Sequence, residues 1–189
     1  MRIFLIDNLG FTYNLIDEFK KKDCEVVSYR NNVDMKTIDN AITKFKPNLI
    51  VISPGPEKDT GNSVDVIRSY CGKIPIFGVG SGNLCIIDAF EGKVNTSPVS
   101  HGKLSEIMHD GKTIFKKLDN PFNAGTYNSL SGSDIPLSLE VSARSENDVV
   151  MGVRHKEYFV EGIQFDPASL LTLQGSLIIE NLIKEAEKK

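Results

Sequence analysis

Cysteine and histidine are scarce in this chain. Of 189 residues, three are cysteines (Cys24, Cys71 and Cys85) and three are histidines (His101, His109 and His155), which read as surface or interface residues. The cysteines are odd in number and irregularly spaced, with no C-x-x-C pair, which argues against a disulfide framework and against a zinc site. They read as reduced, mostly buried thiols of a cytoplasmic protein. Asp7, Asp110 and Asp166 are too scattered to suggest another metal site, and no cofactor is expected. Long apolar runs are also missing. The opening run, Ile3 to Ile6, meets Asp7 at once and is far too short for a signal segment or a membrane span. No block of like charge forms a tail beyond Lys188-Lys189, and the net charge of −3 gives no attraction to nucleic-acid phosphates. Neither a membrane nor a nucleic acid is an expected partner.

What remains is ordinary globular material, 40% hydrophobic and 25% charged. The length suits one hydrophobic core and leaves no room for a second, so one domain over 1–189 is expected. Short apolar runs at Ile3 to Ile6, Val26-Val27, Leu49 to Ile52 and Pro75 to Val79 read as strands buried on both faces. Between them, Phe11 to Lys22 (Phe11, Leu15 and Phe19 at helical spacing), Met35 to Lys44 (Asp34 as N-cap) and Ser63 to Tyr70 read as helices. A further helix is expected from about Asn83 to Phe90. This alternation predicts an open, mostly parallel α/β sheet covered by helices on both faces. Ligand sites in such sheets lie beyond the carboxyl ends of the strands, here the loops Ser53 to Lys58 and Val79 to Leu84. After Gly92 the texture becomes more antiparallel. Leu104 to His109, Ala124 to Leu130, Leu139 to Arg144, Val149 to Arg154 and Phe159 to Phe165 read as strands between turn signals, and a helix from about Leu173 to Glu187 closes the chain.

Several stretches carry a resemblance. Ile6-Asp7-Asn8 with Phe11-Thr12-Tyr13-Asn14-Leu15, Ser53-Pro54-Gly55-Pro56, His101-Gly102-Lys103 through His109-Asp110-Gly111-Lys112, and Met151 to Lys156 with Glu161 to Phe165 are similar to I-D-N-Y-D-S-F-T-Y-N-L, S-P-G-P-G, H-G-K-x-S-E-I-x-H-D-G and the strand pair before H-P-E. On these the chain resembles the class I (triad-type) glutamine amidotransferases, in particular the glutaminase subunit, component II, of anthranilate synthase and aminodeoxychorismate synthase. The resemblance covers nearly the whole chain. It implies a flavodoxin-like fold and a chorismate-using synthase subunit, component I, as partner. It places the contact with that partner near the segment holding His101, Lys103, Ser105 and Glu106.

The family hydrolyses glutamine. A cysteine thiolate on a strained strand-to-helix elbow attacks the side-chain amide, a histidine takes the thiol proton, and a glutamate orients the histidine. The elbow here reads Gly78-Val79-Gly80-Ser81-Gly82-Asn83-Leu84, and the terminal motif reads Asp166-Pro167-Ala168. Gly80 therefore stands at the nucleophile position, Asp166 at the base and Ala168 at the orienting carboxylate. The resemblance places Gly55, Ser81, Leu84, Ser129 and Leu130 around the glutamine, with Leu84 in place of a glutamine side chain and Asn83 in place of a histidine. Glu57 stands where a glycine helps form the oxyanion hole, and a bulky anion there works against catalysis. The opening loop is one residue short at Leu9-Gly10.

Two side chains near the elbow bear on a displaced nucleophile. Cys85 lies five helical positions after Gly80, roughly 140° around the axis, and reads as a buried cysteine. Ser81 would need Asp166 as its base. With no nucleophile to hold, the Gly80 elbow is expected to relax into an ordinary glycine-rich turn. Three readings stay open on the sequence. The first is a non-catalytic partner of an ammonia-using synthase, in which glutamine binding is weakened or lost. The second is an enzyme of altered chemistry using Ser81, Asn83, Asp166 and Glu57. The third is a stand-alone protein that binds an amino acid or amide.

Overall fold

A computed structural model describes residues 1–56 and 60–188. Nine strands form one sheet: β1 (Arg2–Asp7), β2 (Glu25–Arg30), β3 (Leu49–Ile52), β4 (Ile76–Val79), β5 (Lys93–His109), β6 (Phe122–Ser133), β7 (Leu139–Ser145), β8 (Val150–His155) and β9 (Val160–Ile163). Their spatial order is β2-β1-β3-β4-β9-β8-β7-β5-β6. The strands from β2 to β9 in that order pair in parallel and the rest antiparallel. The expected α/β architecture, mostly parallel first and antiparallel later, is what the chain forms.

Among the described residues, five α-helices cover the sheet: α1 (Thr12–Lys20), α2 (Met35–Phe45), α3 (Ser63–Tyr70), α4 (Ser81–Ala89) and α5 (Gly175–Ala186). Side chains alternate along a strand, so each parallel strand feeds two cores. Ile3, Leu5, Leu49, Val51, Phe77 and Val79 pack with Leu15 and Phe19 of α1 and Ile178, Ile179 and Leu182 of α5. Phe4, Ile6, Ile50, Ile52 and Ile76 pack with Ile38 and Ile42 of α2, Val66 and Ile67 of α3 and Leu84 to Ile87 of α4. Burial on both faces explains why these strands lack a polar alternation. Asp34 caps α2 as expected, its carboxylate accepting the Thr37 N–H at 3.0 Å.

Three expectations need correction. Phe11 does not join the core. It sits just before α1, 56% exposed, with its ring 5.5 Å from that of Tyr127. Strand β5 begins at Lys93, well before Leu104. Its first part pairs only with β6, carries two register shifts and is largely exposed, so no apolar alternation marks it. His155 is buried, not a surface residue. Its Nδ1 accepts the N–H groups of Glu157 and Tyr158, and its ring packs against Phe90 and Tyr158.

The motif segments in the antiparallel half meet in a charged cluster. Arg154 donates to Glu161 Oε1 at 2.8 and 3.0 Å, to Asp110 Oδ2 at 2.7 Å and to Glu140 Oε1 at 3.0 Å. Thr113 also donates to Glu161 Oε1, while Glu161 Oε2 is sealed without a partner among the described residues. Burial pushes the Glu161 carboxyl up to about 7, against the pull of Arg154 and Thr113.

The folded value exceeds the ordinary 4.5, so the folded state holds a proton that the unfolded chain releases. The resulting stabilisation is complete below pH 4.5 and is lost as pH rises through 7. Urea denaturation at pH 5 and pH 8 checks this. Glu161→Gln should gain on the native sequence at the higher pH, and a difference independent of pH would refute it. Arg154→Met, which strands three carboxylates, should cost about 3–5 kcal/mol.

Candidate functional site

The chain winds from β1 to β2 on one side and from β3 onward on the other, so the switch of direction falls between β1 and β3. The loops leaving these two strands meet there, where this architecture forms its clefts. They are tied by buried side chains. The Asn8 backbone N–H donates to Ser53 Oγ at 2.9 Å, Asn8 Nδ2 to the Ser53 carbonyl at 3.0 Å, and Ser63 Oγ to Asn8 Oδ1 at 2.8 Å. The Gly10 N–H donates to the Pro54 carbonyl at 3.0 Å. A Cβ on Gly55 would run into the Asn8 carbonyl, so only glycine permits this approach. Leu9 completes the shortened loop at φ +65°, an unusual conformation for an L-residue.

The third wall is the β4–α4 elbow. The Gly80 N–H donates to the Ile163 carbonyl at 2.8 Å, and the Gly80 carbonyl receives the Asn83 N–H. Gly80 has φ +59° and ψ −117°. This overturns the expected relaxation: the elbow remains in a backbone conformation that L side chains avoid. The reason lies on either side of it. A Cβ on Gly78 would strike the Gly82 carbonyl, and one on Gly82 would strike the Ile52 carbonyl. The strand end and the helix start are thus locked by backbone packing, and glycine at position 80 accepts the resulting dihedral without penalty.

Beneath these walls lies a cavity of about 700 Å³, lined in part by Leu9, Phe11, Pro54, Gly55, Gly80, Ser81, His101 and Tyr127. It brings together Gly55, Gly80, Ser81 and His101 of the residues singled out in the sequence. His101 reaches it from a register shift in β5 beside Gly102, itself at φ +65°. Asp166 and Ala168 line a neighbouring cavity of about 620 Å³ instead, and Phe11 and Tyr127 belong to both. Leu84 lies in the core between α4 and the sheet, 3% exposed, and does not line the cavity. Ser129 and Leu130 are half-buried on β6. Lys103 and Glu106 are exposed on β5, and Ser105 shares a hydroxyl contact with Thr126 at 3.2 Å. Glu57 lies outside the described residues.

Of the polar groups expected to converge, Ser81, Asn83 and Asp166 do not bond to one another. Asn83 points into the sheet, its amide donating to Gln164 Oε1 at 3.1 Å. Ser81 Oγ is sealed from solvent and has no partner among the described residues. The Asp166 carboxylate accepts the Ala168 N–H at 2.8 Å. Cys85 is buried, and burial pushes its thiol up to about 12, a poor state for a nucleophile. Two wall residues, Phe11 and Tyr127, escaped the sequence reading as site residues. Tyr127 had a signal, since it lies two residues before Ser129, which the resemblance places around the glutamine. Phe11 had none, because its spacing with Leu15 and Phe19 mimics a core position.

An elbow between a parallel strand and a helix, facing a cleft at the sheet's switch point, is the site architecture of an α/β amidotransferase-type domain. The family model of the class-I glutamine amidotransferases matches residues 4–186, and the chain belongs to that family. Among curated relatives, it is 42% identical over 188 residues to a multifunctional tryptophan biosynthesis protein of Pichia angusta, covering 96% of this chain and 50% of that protein. The chain thus spans about half the length of that relative, and 24% of a like-named protein of Phycomyces blakesleeanus. It is 41% identical over 187 residues to aminodeoxychorismate synthase component 2 of Escherichia coli, covering 96% of this chain and 98% of that protein. With anthranilate synthase component 2 of Buchnera aphidicola it shares 38% identity over 191 residues, covering 99% and 97%. Among solved structures, a glutamine amidotransferase from Thermotoga maritima superposes with a TM-score of 0.75 at 11% identity, covering 100% of this chain and 99% of that one. That likeness speaks to the fold. No helix among the described residues is long and apolar enough to cross a membrane.

The two elbow glycines should respond differently to a methyl group. Among the described residues, Gly80→Ala meets only Pro54, at 3.1 Å, and suffers mainly from its dihedral, so a loss of about 1–3 kcal/mol is expected. Gly82→Ala forces a methyl into backbone and should lose more. Chemical denaturation of the two variants checks the order, and equal losses would show that the elbow is not locked by packing.

Proposed function

We propose that this chain is a non-catalytic amidotransferase subunit, a single domain that lacks glutaminase activity and serves a chorismate-using synthase fed by free ammonia. The observation that carries this reading is the bare elbow. The backbone holds the strained geometry that presents a nucleophile, yet Gly80 offers no side chain. The neighbouring groups do not supply a replacement. Ser81 is sealed without a base, Cys85 faces the core, and Asp166 lies in the adjoining cavity. Ser81 Oγ makes no hydrogen bond to Asp166, which also speaks against a rebuilt hydrolase using the two.

Relatives bear the name component 2, of anthranilate and of aminodeoxychorismate synthase, which supports a component 1 of either kind as partner. The β5 segment with His101, Lys103, Ser105 and Glu106 is the proposed contact, beside the mouth of the elbow cavity. The proposed setting is the cytoplasm, where ammonium is available. With Leu84 withdrawn into the core, the cavity has no side chain from that position to hold a glutamine amide; of the positions the resemblance places around glutamine, Gly55 and Ser81 line it.

The test is to mix the chain with its chorismate-using synthase and supply either glutamine or an ammonium salt. Turnover with ammonium and none with glutamine is the expected result. Ammonia release from glutamine above the rate with synthase alone would overturn the reading. In that event, Ser81→Ala and Cys85→Ala would identify the group responsible.

A further inference from the structure

The cavity beside Asp166 lies between the outer face of α1 and the segment 166–171. Its charged lining is Asp17, Glu18, Lys21 and Asp166. Among the described residues, Lys21 is the cation of this lining, and its Nζ is bound to Glu18 Oε1 at 2.6 Å. Asp17 is exposed on α1, and Asp166 is nine-tenths buried. Of the two Asp166 oxygens, Oδ1 accepts the Ala168 N–H at 2.8 Å. Oδ2 makes no hydrogen bond among the described residues and is not a sealed atom, and Asp166 lines the cavity. Burial pushes the Asp166 carboxyl up, against the Ala168 N–H, as expected for a carboxylate with no cation beside it.

The rest of the wall suits an organic cation. Phe11 and Tyr127 contribute aromatic rings, whose faces attract ammonium groups. Leu170, 96% exposed, and Leu171 offer apolar surface to a hydrocarbon body. The Tyr127 hydroxyl and Ser169 Oγ, 3.3 Å apart, supply further acceptors for N–H groups. An anion would meet Asp17 and Asp166, and a neutral apolar molecule would leave Asp166 Oδ2 desolvated and unpaired.

We propose that this cavity is a binding site for a small primary amine in its ammonium form, its nitrogen on Asp166 and its apolar body against Phe11, Tyr127 and Leu171. The site adjoins the elbow cavity, with which it shares Phe11 and Tyr127, and the proposal does not depend on whether glutamine is hydrolysed.

The full chain, labelled with 15N, should be titrated with n-butylammonium chloride, with sodium chloride and n-butanol as controls at matched ionic strength. Saturable shifts of the Ala168 and Ser169 amides are expected with n-butylammonium alone. Asp166→Asn, which removes a buried charge and keeps the shape, should weaken binding by at least about tenfold. Tyr127→Leu, an independent variant, should weaken it by a few-fold. Absence of saturable shifts, equal binding by Asp166→Asn, or an equal response to n-butanol would each overturn the proposal. Because no synthase or glutamine is present, none of these outcomes bears on the loss of glutaminase activity.

Discussion

The structure around the cleft depends on a close approach of three backbones. The end of β3, the end of β4 and the first turn of α4 pack so tightly that a methyl group on Gly78 or Gly82 would overlap a carbonyl. Protein interiors tolerate no such overlap without movement. These contacts fix where β4 stops, the angle at which α4 starts, and so the dihedrals of the residue between them. The opening loop is held in the same way, through Gly10 and Gly55 against Pro54 and Asn8. The cavity is the space these constraints leave.

A consequence is that the elbow's geometry and its chemistry are separable. The bend at Gly80 is imposed by the packing of its flanks and persists without a thiol to aim. Helix α4 adds to the constraint, because Ser81 to Ile87 are all buried and the helix cannot shift without disturbing the core. The charged cluster around Arg154 plays a comparable part in the antiparallel half. It joins Asp110, Glu140 and Glu161, from three separate segments, and so accounts for motif residues that touch neither cavity.

Much of this was legible in the sequence. The parallel strands announced themselves as apolar runs because both faces are buried, and Asp34 announced α2 because a cap has a local cause. The first part of β5 did not, because exposed Ser, Thr and Pro residues carry no alternation. The positions of Gly55, Gly80 and Ser81 at one cleft followed from the loops at the strand ends. The division of the site into two cavities did not, since it depends on where Phe11 and Tyr127 place their rings. Nor could the sequence reveal the positive φ kept at Gly80, which arises from the contacts of Gly78 with Gly82 and of Gly82 with Ile52. The burial of Leu84 was concealed for another reason. Helix α4 is apolar nearly all round, so no stripe tells which face meets the cleft.

The central claim is that the elbow holds no nucleophile. The most direct measurement is intact-mass analysis after incubation with a glutamine-derived chloroketone, with and without excess glutamine. The account predicts no adduct whose formation glutamine prevents. A single adduct that glutamine protects against would contradict it, and peptide mapping would then locate the reactive group.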